Sequence, residues 1–358
     1  MGSAAVPRLS ATLVVVRQAE GGLELLLLRR ADRGDQNSGA WVFPGGLVET
    51  ADRQCHPQCV GLDDAAASDR LGLAHGGLDF YVAAIRECFE EAGLLFAVDA
   101  RNGLVDLRGE AGARLAAQRL PPHAGNFEFA ALCRDAGLRL ATDRLFYIGH
   151  WVTPLGLPKR FDTRFFLAVL PEGQASLHDS VETLDQVWLR PQVALAPEHS
   201  RRLLKVTRNV IELVGGFADM ESLLAWARSP RAVPMVMQRR GMGSDGLRSL
   251  MPHEPAFAEI GKLDPDGEGT AWCELRPGAP VRLSPRVLRV TSSGGANTYL
   301  VGDEQGGWTE MDPASCCLLV EDKMLLTAAT PLAQARLLFP PEAVEWIAPA
   351  QGFLIAAS

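Results

Sequence analysis

An acidic run inside one predicted helix constrains this chain more than any other feature. The run is Arg86-Glu87-Cys88-Phe89-Glu90-Glu91-Ala92-Gly93-Leu94, and helical spacing places Glu87, Glu90 and Glu91 on one side. Like charges at this spacing destabilise a helix by roughly a few tenths of a kcal/mol per pair. They also lie in the last turn, where the helix dipole disfavours anions. The sequence therefore opposes helix stability at this point.

Local signals set the expected limits of this helix. Asp79 is a suitable N-cap, and Gly93 is a natural residue to follow the last turn. Ile85 and Phe89 are spaced for one buried face. The pattern thus predicts a helix from Asp79 to Gly93 whose polar side carries the three glutamates.

Two interpretations of the acidic side are open from the residues alone. Adjacent glutamates on a helix usually form a solvated surface. A hard divalent cation would also resolve the repulsion, because Mg²⁺ prefers carboxylates, water and phosphate oxygens. The stretch Gly45-Gly46-Leu47-Val48-Glu49-Thr50-Ala51-Asp52 favours the cation, since a glycine pair lets backbone approach a ligand closely and the stretch adds more acid.

Length and charge limit the classes of function. A chain of 358 residues exceeds one ordinary domain, so two domains are expected. The net charge of −8 argues against nucleic-acid or anionic-membrane partners, but a bound cation would still allow a small anionic substrate. Seven cysteines, without a signal-peptide pattern or a long apolar segment, predict reduced thiols in a cytoplasmic enzyme.

Composition shifts suggest the domain limits. We expect a first domain over 9–230, a Pro-, Arg-, Met- and Gly-rich linker over 231–254, and a β-rich region over 255–358. Residues 53–78 show no firm periodicity and predict a loop with one helical turn at most. This loop holds Cys55-His56-Pro57-Gln58-Cys59 and His75, but the spacing fits no standard zinc site, so loop thiols are the preferred interpretation.

The glycine-rich segment and the acidic segment resemble, in that order, the two halves of the Nudix hydrolase signature. That signature runs Gly, five residues, Glu, seven residues, then Arg-Glu-apolar-X-Glu-Glu-X-Gly-apolar. Gly46 with Asp52 matches the first half, and Arg86 to Leu94 matches the second. Asp52 replaces the usual Glu, Cys88 replaces an aliphatic residue, and 33 residues rather than seven separate the halves, an insertion of 26.

The resemblance implies a fold and a chemistry. The fold would be α+β, a Nudix α/β/α sandwich with a mixed sheet and helical insertions. Glu87, Glu90 and Glu91 would bind Mg²⁺ or Mn²⁺, with backbone of Gly45 or Gly46 in the metal sphere. Arg86 would pair with the loop carboxylates. Metal-activated water would then attack one phosphorus of a diphosphate.

Several residues resemble one Nudix branch, the peroxisomal coenzyme A diphosphatases and their bacterial relatives. The likeness covers about 9–230 and includes the long insertion, Trp151-Val152-Thr153-Pro154 and Arg160-Phe161-Asp162-Thr163-Arg164-Phe165-Phe166. It implies hydrolysis of coenzyme A or acyl-coenzyme A to 3′,5′-ADP and a phosphopantetheine product. Arg160 and Arg164 could clamp substrate phosphates or pair with Asp162 at the surface.

Other assignments stay open at this point. Glu182 could be an additional acid or the general base, or a solvated strand-end residue. The substrate could instead be ADP-ribose or a dinucleotide, since the signature reports only the diphosphate. A Nudix-like module could also bind a nucleotide without turnover, although a binder needs no complete cluster of Arg86 and three glutamates.

A weaker resemblance covers the last 75 or so residues. Asn297-Thr298-Tyr299-Leu300-Val301-Gly302, Met311-Asp312-Pro313 and Trp346-Ile347-Ala348-Pro349-Ala350-Gln351-Gly352 resemble segments of the metallo-β-lactamase fold. The metal-binding His cluster of that fold is missing from this sequence. The resemblance implies a metal-free remnant used for packing against the first domain or for forming a homodimer.

Overall fold

The computed structural model describes residues 5–32, 38–119, 129–179, 182–199, 201–254 and 256–274, and the backbone of strands between 280 and 356. Contacts divide the chain into two compact units. The first unit comprises residues 8–151 and 161–235, and the second comprises 1–7, 152–160 and 236–358. No helix among the described residues is long and apolar enough to cross a membrane.

A mixed sheet forms the centre of the first unit. The strands up to residue 189 are β1 Arg8–Ala19, β2 Gly22–Arg30, β3 Trp41–Val42, β4 Gly45–Leu47, β5 Ala97–Val98, β6 Arg139–Leu140, β7 Phe146–Val152, β8 Phe161–Val169 and β9 Thr183–Leu189. In the sheet, β1 pairs in parallel with β8 and antiparallel with β2 and β4. The strand order is β7-β8-β1-β2-β3, with β4 beside β1 and β9 beside β2.

Helices cover both faces of this sheet. The α-helices are α1 Asp64–Leu71, α2 Gly77–Ala92, α3 Gly109–Ala117, α4 Phe129–Asp135, α5 Pro191–Leu195, α6 Lys205–Gly215 and α7 Met220–Arg228. Three short 3₁₀ helices span Thr50–Gln58, Thr142–Arg144 and Pro197–His199. The separate pair β5 and β6 is antiparallel.

Successive side chains of a strand point to opposite faces of the sheet, which explains why the sheet has a core on each face. Leu26 and Leu28 of β2 pack in the same core as α2, whereas Leu25 and Leu27 pack with Ile211 of α6 in a core on the other face. All four leucines are fully buried, as expected for a strand covered on both faces. The predicted α/β/α sandwich with a mixed sheet is confirmed.

The insertion at 53–78 is more ordered than its composition predicts. It forms most of a nine-residue 3₁₀ helix and then α1, where a loop with one turn is the expectation. Cys55, Ala67 and Leu71 are buried against α2. These apolar residues are too small and too widely spaced to give a periodic signal, which explains the difference.

The second unit differs from the predicted linear division. Residues 231–254, predicted to be a linker, contain the strands β10 Met235–Met237, β11 Arg239–Gly243 and β12 Gly246–Leu250, of which the last two form a hairpin. The helix α8, Phe257–Leu263, follows. A small core unites Leu250, Ala256, Ile260, Ala271 and Cys273.

The remaining C-terminal strands support the predicted β-rich character. Six of them form an antiparallel sheet in chain order: β13 Pro280–Ser284, β14 Val287–Thr291, β15 Asn297–Val301, β16 Thr309–Asp312, β17 Cys317–Val320 and β18 Met324–Thr327. The strands β19 Val344–Glu345 and β20 Ile355–Ala356 pair separately. Residues 269–274 form no strand and make a single bridge, between Trp272 and Met242. Residues 302, 313 and 346–352 of the predicted remnant lie outside the described part of the chain.

Candidate active site

Helix α2 carries the acidic residues, and its two ends are fixed in different ways. It ends where the sequence predicts, at Gly93, whose φ of 69° suits glycine. It begins at Gly77, two residues before the predicted cap Asp79. The Asp79 carboxylate instead accepts hydrogen bonds from Arg53 (2.7 Å) and His56 (2.8 Å), so the predicted N-cap is wrong.

A carboxylate of the insertion replaces the expected cap. Asp64 of α1 accepts hydrogen bonds from the backbone N–H groups of Gly76 (2.9 Å) and Leu78 (3.0 Å). These are N–H groups at the start of α2 that have no partner within the helix. The insertion therefore closes the N-terminal end of the acidic helix.

The acidic side of α2 is not a solvated surface. Glu90 is 9 % exposed and Glu91 is 4 % exposed, and only 12 % of the Glu87 side chain is exposed. Burial of three neighbouring carboxylates is costly unless cations or hydrogen bonds compensate it. The structure thus removes the alternative of a surface acidic run.

Arg86 is the central cation of this cluster. Its Nε and Nη2 atoms donate to the two carboxylate oxygens of Asp52 (2.8 and 3.2 Å). Its Nη1 atom donates to Glu87 (2.9 Å) and to Glu90 (3.2 Å), and Nη2 also donates to the carbonyl of Leu47 (2.8 Å). One guanidinium therefore serves three carboxylates and joins the two halves of the predicted signature.

The glycine pair lets strand β4 approach the acids. The Gly45 N–H donates to Glu91 Oε2 (2.9 Å). A Cβ atom at Gly46 would overlap the carboxylate of Glu87, and one at Gly45 would overlap the carbonyl of Ala11. Neither glycine has a positive φ, so close approach rather than backbone conformation requires the missing side chains.

Burial dominates the electrostatics of the cluster. It raises the pKa of Glu90 to about 7, despite the opposing effect of Arg86. Burial also raises the pKa of Glu87, and burial followed by the charge of Glu87 raises the pKa of Glu91 well above its ordinary range. For Arg86, burial is outweighed by the bonds to Asp52 and the nearby glutamates, so its pKa is raised. The cluster therefore has a surplus of negative groups.

This donor set has the chemistry of a hard-cation site. Carboxylate oxygens and backbone carbonyls are the ligands that Mg²⁺ and Mn²⁺ prefer. Within the ranges that the structure describes, no three acidic, His or Cys side chains already converge as a ligand shell. The reason is visible in the contacts, because Glu87 and Glu90 face Arg86 while Glu91 faces Gly45. The residues fit the cation by type and burial.

Glu182 joins the cluster from a distant part of the sequence. It directly precedes β9, and its negative charge contributes to the raised pKa values of Glu87 and Glu91. Its backbone carbonyl accepts from the N–H of Ala31, at the end of β2. The structure therefore places Glu182 near the helix carboxylates, which favours the first of the two interpretations left open by the sequence.

Arg160 does not have the surroundings predicted for it. It belongs to the second unit, is 7 % exposed, and donates to the carbonyls of Ala5 (2.8 Å), Thr153 (3.1 Å) and Pro154 (3.0 Å). It is neither a surface partner of Asp162 nor a side chain with its donors free for phosphate. We therefore assign Arg160 a structural role.

Arg164 is likewise an internal residue. It is 4 % exposed and pairs with Asp162, which also accepts a hydrogen bond from His150 (2.8 Å). Its guanidinium lies 5.5 Å from the ring centroid of Phe80 on α2. The predicted pairing with Asp162 is present, but it is buried rather than at the surface, and the predicted phosphate clamp is not supported.

The sequence analysis misses Arg30 and Arg119 near the acids, and it includes Glu49 only as part of an acidic segment. Arg30, at the end of β2, lowers the pKa of Glu91 through its charge, after the larger effects of burial, Glu87 and the Gly45 N–H. Glu49 contributes to the raised pKa of Glu90, and Arg119 binds the end of α2. The strand register, which pairs Arg30 with Thr183, brings Arg30 here, and no local sequence pattern reports that register.

Comparisons with known proteins agree with this geometry. A family model described as the NUDT19 Nudix domain matches residues 63–204, and one described as the NUDIX domain matches residues 7–114. The acyl-coenzyme A diphosphatase NUDT19 of Homo sapiens is 26 % identical over 289 residues, 66 % of this chain and 73 % of that protein. The protein of the same name from Gallus gallus is 28 % identical over 293 residues, 69 % of this chain and 75 % of that protein.

One solved structure adds a comparison of folds. A NUDIX hydrolase from Alicyclobacillus acidocaldarius superposes with a TM-score of 0.52 at 25 % sequence identity. The match covers 64 % of this chain and 99 % of that one. The likeness therefore extends over a complete protein of that fold.

Proposed function

Because this chain belongs to the Nudix hydrolase superfamily, we propose that it hydrolyses a diphosphate bond in a nucleotide-linked small molecule with Mg²⁺ or Mn²⁺. The observation that carries the proposal is the buried cluster of Glu87, Glu90 and Glu91, in which Arg86 pairs with only the first two. A cluster of this kind lowers the stability of the metal-free protein, and a bound divalent cation would reverse that effect.

We further propose coenzyme A or acyl-coenzyme A as the substrate, giving 3′,5′-ADP and phosphopantetheine or its acyl ester. Support comes from the relatives named acyl-coenzyme A diphosphatase, which align with about two thirds of the chain. ADP-ribose and dinucleotides are the competing substrates, because the glutamate cluster would act only on the diphosphate, which all of these molecules contain.

The chain's own residues suggest how the reaction proceeds. Glu87, Glu90 and Glu91, with backbone of Gly46, would hold the cation. When bound, it would lower the pKa of a coordinated water and neutralise charge on the phosphate oxygens. Arg86 keeps Glu87 and Glu90 in place, and the Gly45 N–H holds Glu91.

Proton transfer and charge compensation fall to two further residues. Glu182 is the proposed general base, which accepts the proton as the water oxygen bonds to phosphorus and the bridging P–O bond breaks. The partly buried Arg30 is the proposed partner of a substrate phosphate, since it lies at the end of β2 and its charge already acts on Glu91.

A substrate panel tests the proposal. The protein is incubated with Mg²⁺ or Mn²⁺ and coenzyme A, acyl-coenzyme A, ADP-ribose, NADH or a diadenosine polyphosphate, and products are identified by mass. We expect metal-dependent release of 3′,5′-ADP from the coenzyme A compounds, and ¹⁸O-water locates the attacked phosphorus. Preferred cleavage of ADP-ribose would replace the substrate assignment. Binding without any turnover would refute the enzymatic one.

A further inference from the structure

Arg119 connects the end of α2, which carries three glutamates, with the segment before β9, which carries Glu182. It follows α3, and its Nε atom donates to the carbonyl of Glu90 (2.8 Å) while Nη2 donates to that of Glu91 (3.2 Å). Its Nη1 atom donates to the carbonyl of Leu177 (2.6 Å). One planar guanidinium therefore bridges the last turn of α2 and the segment that leads to β9.

The last turn of α2 is suited to such a cation. Its final carbonyls have no partner within the helix, and the helix dipole makes this end negative. Gly93 follows directly, and a Cβ atom there would lie 2.8 Å from Arg119 Nη1. The glycine that ends the helix thus also leaves space for the guanidinium.

The segment on the other side of Arg119 is held firmly as well. The Leu177 N–H donates to the carbonyl of Ala92 (2.8 Å). The carboxylate of Asp179 accepts from the N–H groups of Glu182 (3.1 Å) and Thr183 (2.8 Å). The same carboxylate accepts from the Thr183 hydroxyl (2.9 Å). These contacts hold Asp179 against Glu182 and Thr183 at the start of β9.

We propose that Arg119 is a positioning residue that sets the spacing between Glu182 and the carboxylates of Glu87 and Glu91. It acts by tying the α2 carbonyls to the carbonyl of Leu177, so a change at Arg119 moves one acid-bearing segment relative to the other. The inference rests on the proposed function, in which these acids bind the cation and accept the proton.

The test compares Arg119→Lys with wild type. Lysine keeps the charge but replaces a rigid fork of donors by a single ammonium group. We expect the Mn²⁺ dissociation constant, measured by electron paramagnetic resonance without substrate, to rise about tenfold, as is typical of residues that orient metal ligands. We expect kcat at saturating Mn²⁺ to fall by about the same factor, the lower end of the usual range for such residues.

A matched control is present on α3, the helix that precedes Arg119. Arg114 of α3 is exposed and pairs only with Glu110 (3.4 Å) among the described residues, so Arg114→Ala should leave both quantities unchanged. Arg119→Gln, which retains a donor for one carbonyl, is measured in parallel in case lysine is not accommodated. All measurements are made below the unfolding transition of each variant.

A double-mutant cycle separates positioning from general stability. If Arg119 acts through Glu182, Arg119→Lys should lower kcat by less than twofold in a Glu182→Gln background. An equal loss in both backgrounds, or a lowered Tm with unchanged metal affinity and kcat, would overturn the inference. Absence of Mn²⁺ binding and turnover in wild type would instead refute the proposed function, and the inference with it.

Discussion

At the scale of single residues, the site is a balance between one guanidinium and several acids. Arg86 contacts Asp52, Glu87 and Glu90, while Glu91 is hydrogen-bonded to backbone. Buried carboxylates without enough positive charge favour their protonated form, which is the common cause of their raised pKa values. The same deficit would favour a divalent cation.

Glu91→Gln tests the contribution of one ligand. The glutamine amide oxygen can still accept the hydrogen bond from Gly45, so the fold should be retained. Loss of one anionic ligand should lower kcat about a thousandfold, which corresponds to about 4 kcal/mol of transition-state stabilisation. Steady-state kinetics and thermal unfolding measure the two effects. Glu110→Gln, at an exposed position of α3, is the control, and unchanged turnover of Glu91→Gln would contradict the assignment.

Glu90 gives the metal-free protein a defined pH dependence. Its pKa of about 7 in the folded state exceeds the ordinary value of 4.5, so the folded state binds more protons than the unfolded state between these values. Stability contributed by this group is therefore present below about pH 4.5 and is lost as the pH rises toward 7.

Thermal unfolding in a chelator measures this effect. From pH 5 to pH 8, the Tm of wild type should fall by several degrees relative to Glu90→Gln, since about 1 kcal/mol corresponds to about 2–4 °C in a domain of this size. Saturating Mg²⁺ should remove most of the difference. Parallel Tm curves for the two proteins would show that Glu90 does not titrate in this range.

At the scale of elements, the N-terminal end of α2 depends on the insertion. Asp64→Ala removes the acceptor of the Gly76 and Leu78 N–H groups, and should lower the free energy of unfolding by about 1–2 kcal/mol. Chemical denaturation measures this change, and kcat should stay within twofold of wild type. Asp69→Ala, an exposed position of α1, should have no effect on either.

Features with a local cause were predictable from the sequence. The end of α2 at Gly93 and the burial of Ile85 and Phe89 on one face of that helix follow from patterns within a few residues. The start of α2 was not predictable, because the Asp79 carboxylate is taken by Arg53 and His56. Contacts of that kind depend on packing between elements, which hydrophobic periodicity does not report.

In the candidate site, too, residues joined by a short sequence pattern were predictable, whereas residues brought together by packing were not. The helix carboxylates, Arg86 and the glycine pair were found because a short pattern unites them. Arg119 lies 28, 29 and 58 positions from the three residues whose carbonyls it binds, and no spacing rule connects them. The burial of Arg160 was not predictable either, because a charged residue beside an aromatic strand gives no local sign of being buried.

At the scale of the whole molecule, each of the two units is built from separate stretches of the chain. Residues 152–160 interrupt the first unit and belong with 1–7 and 236–358. Within the second unit, Arg160 joins two of these segments through the carbonyls of Ala5, Thr153 and Pro154. Composition along the chain could not reveal this arrangement, because it reports only consecutive segments.

Arg160→Met separates the structural role from a phosphate-binding one. Removing the guanidinium leaves three half-buried carbonyls without this donor, so the free energy of unfolding should fall by about 1–2 kcal/mol. KM for the substrate and the Mn²⁺ dissociation constant should stay within twofold of wild type. A tenfold rise in KM with an unchanged Tm would restore the phosphate clamp.

The closure of the acidic helix by Asp64 has a consequence for any attempt to shorten the chain. The first amides of α2 donate to a carboxylate that the insertion itself supplies. A variant that joined the two halves of the signature by only seven residues would leave these amides without their acceptor. It would therefore weaken the helix that carries the glutamates rather than yield a minimal form of the site.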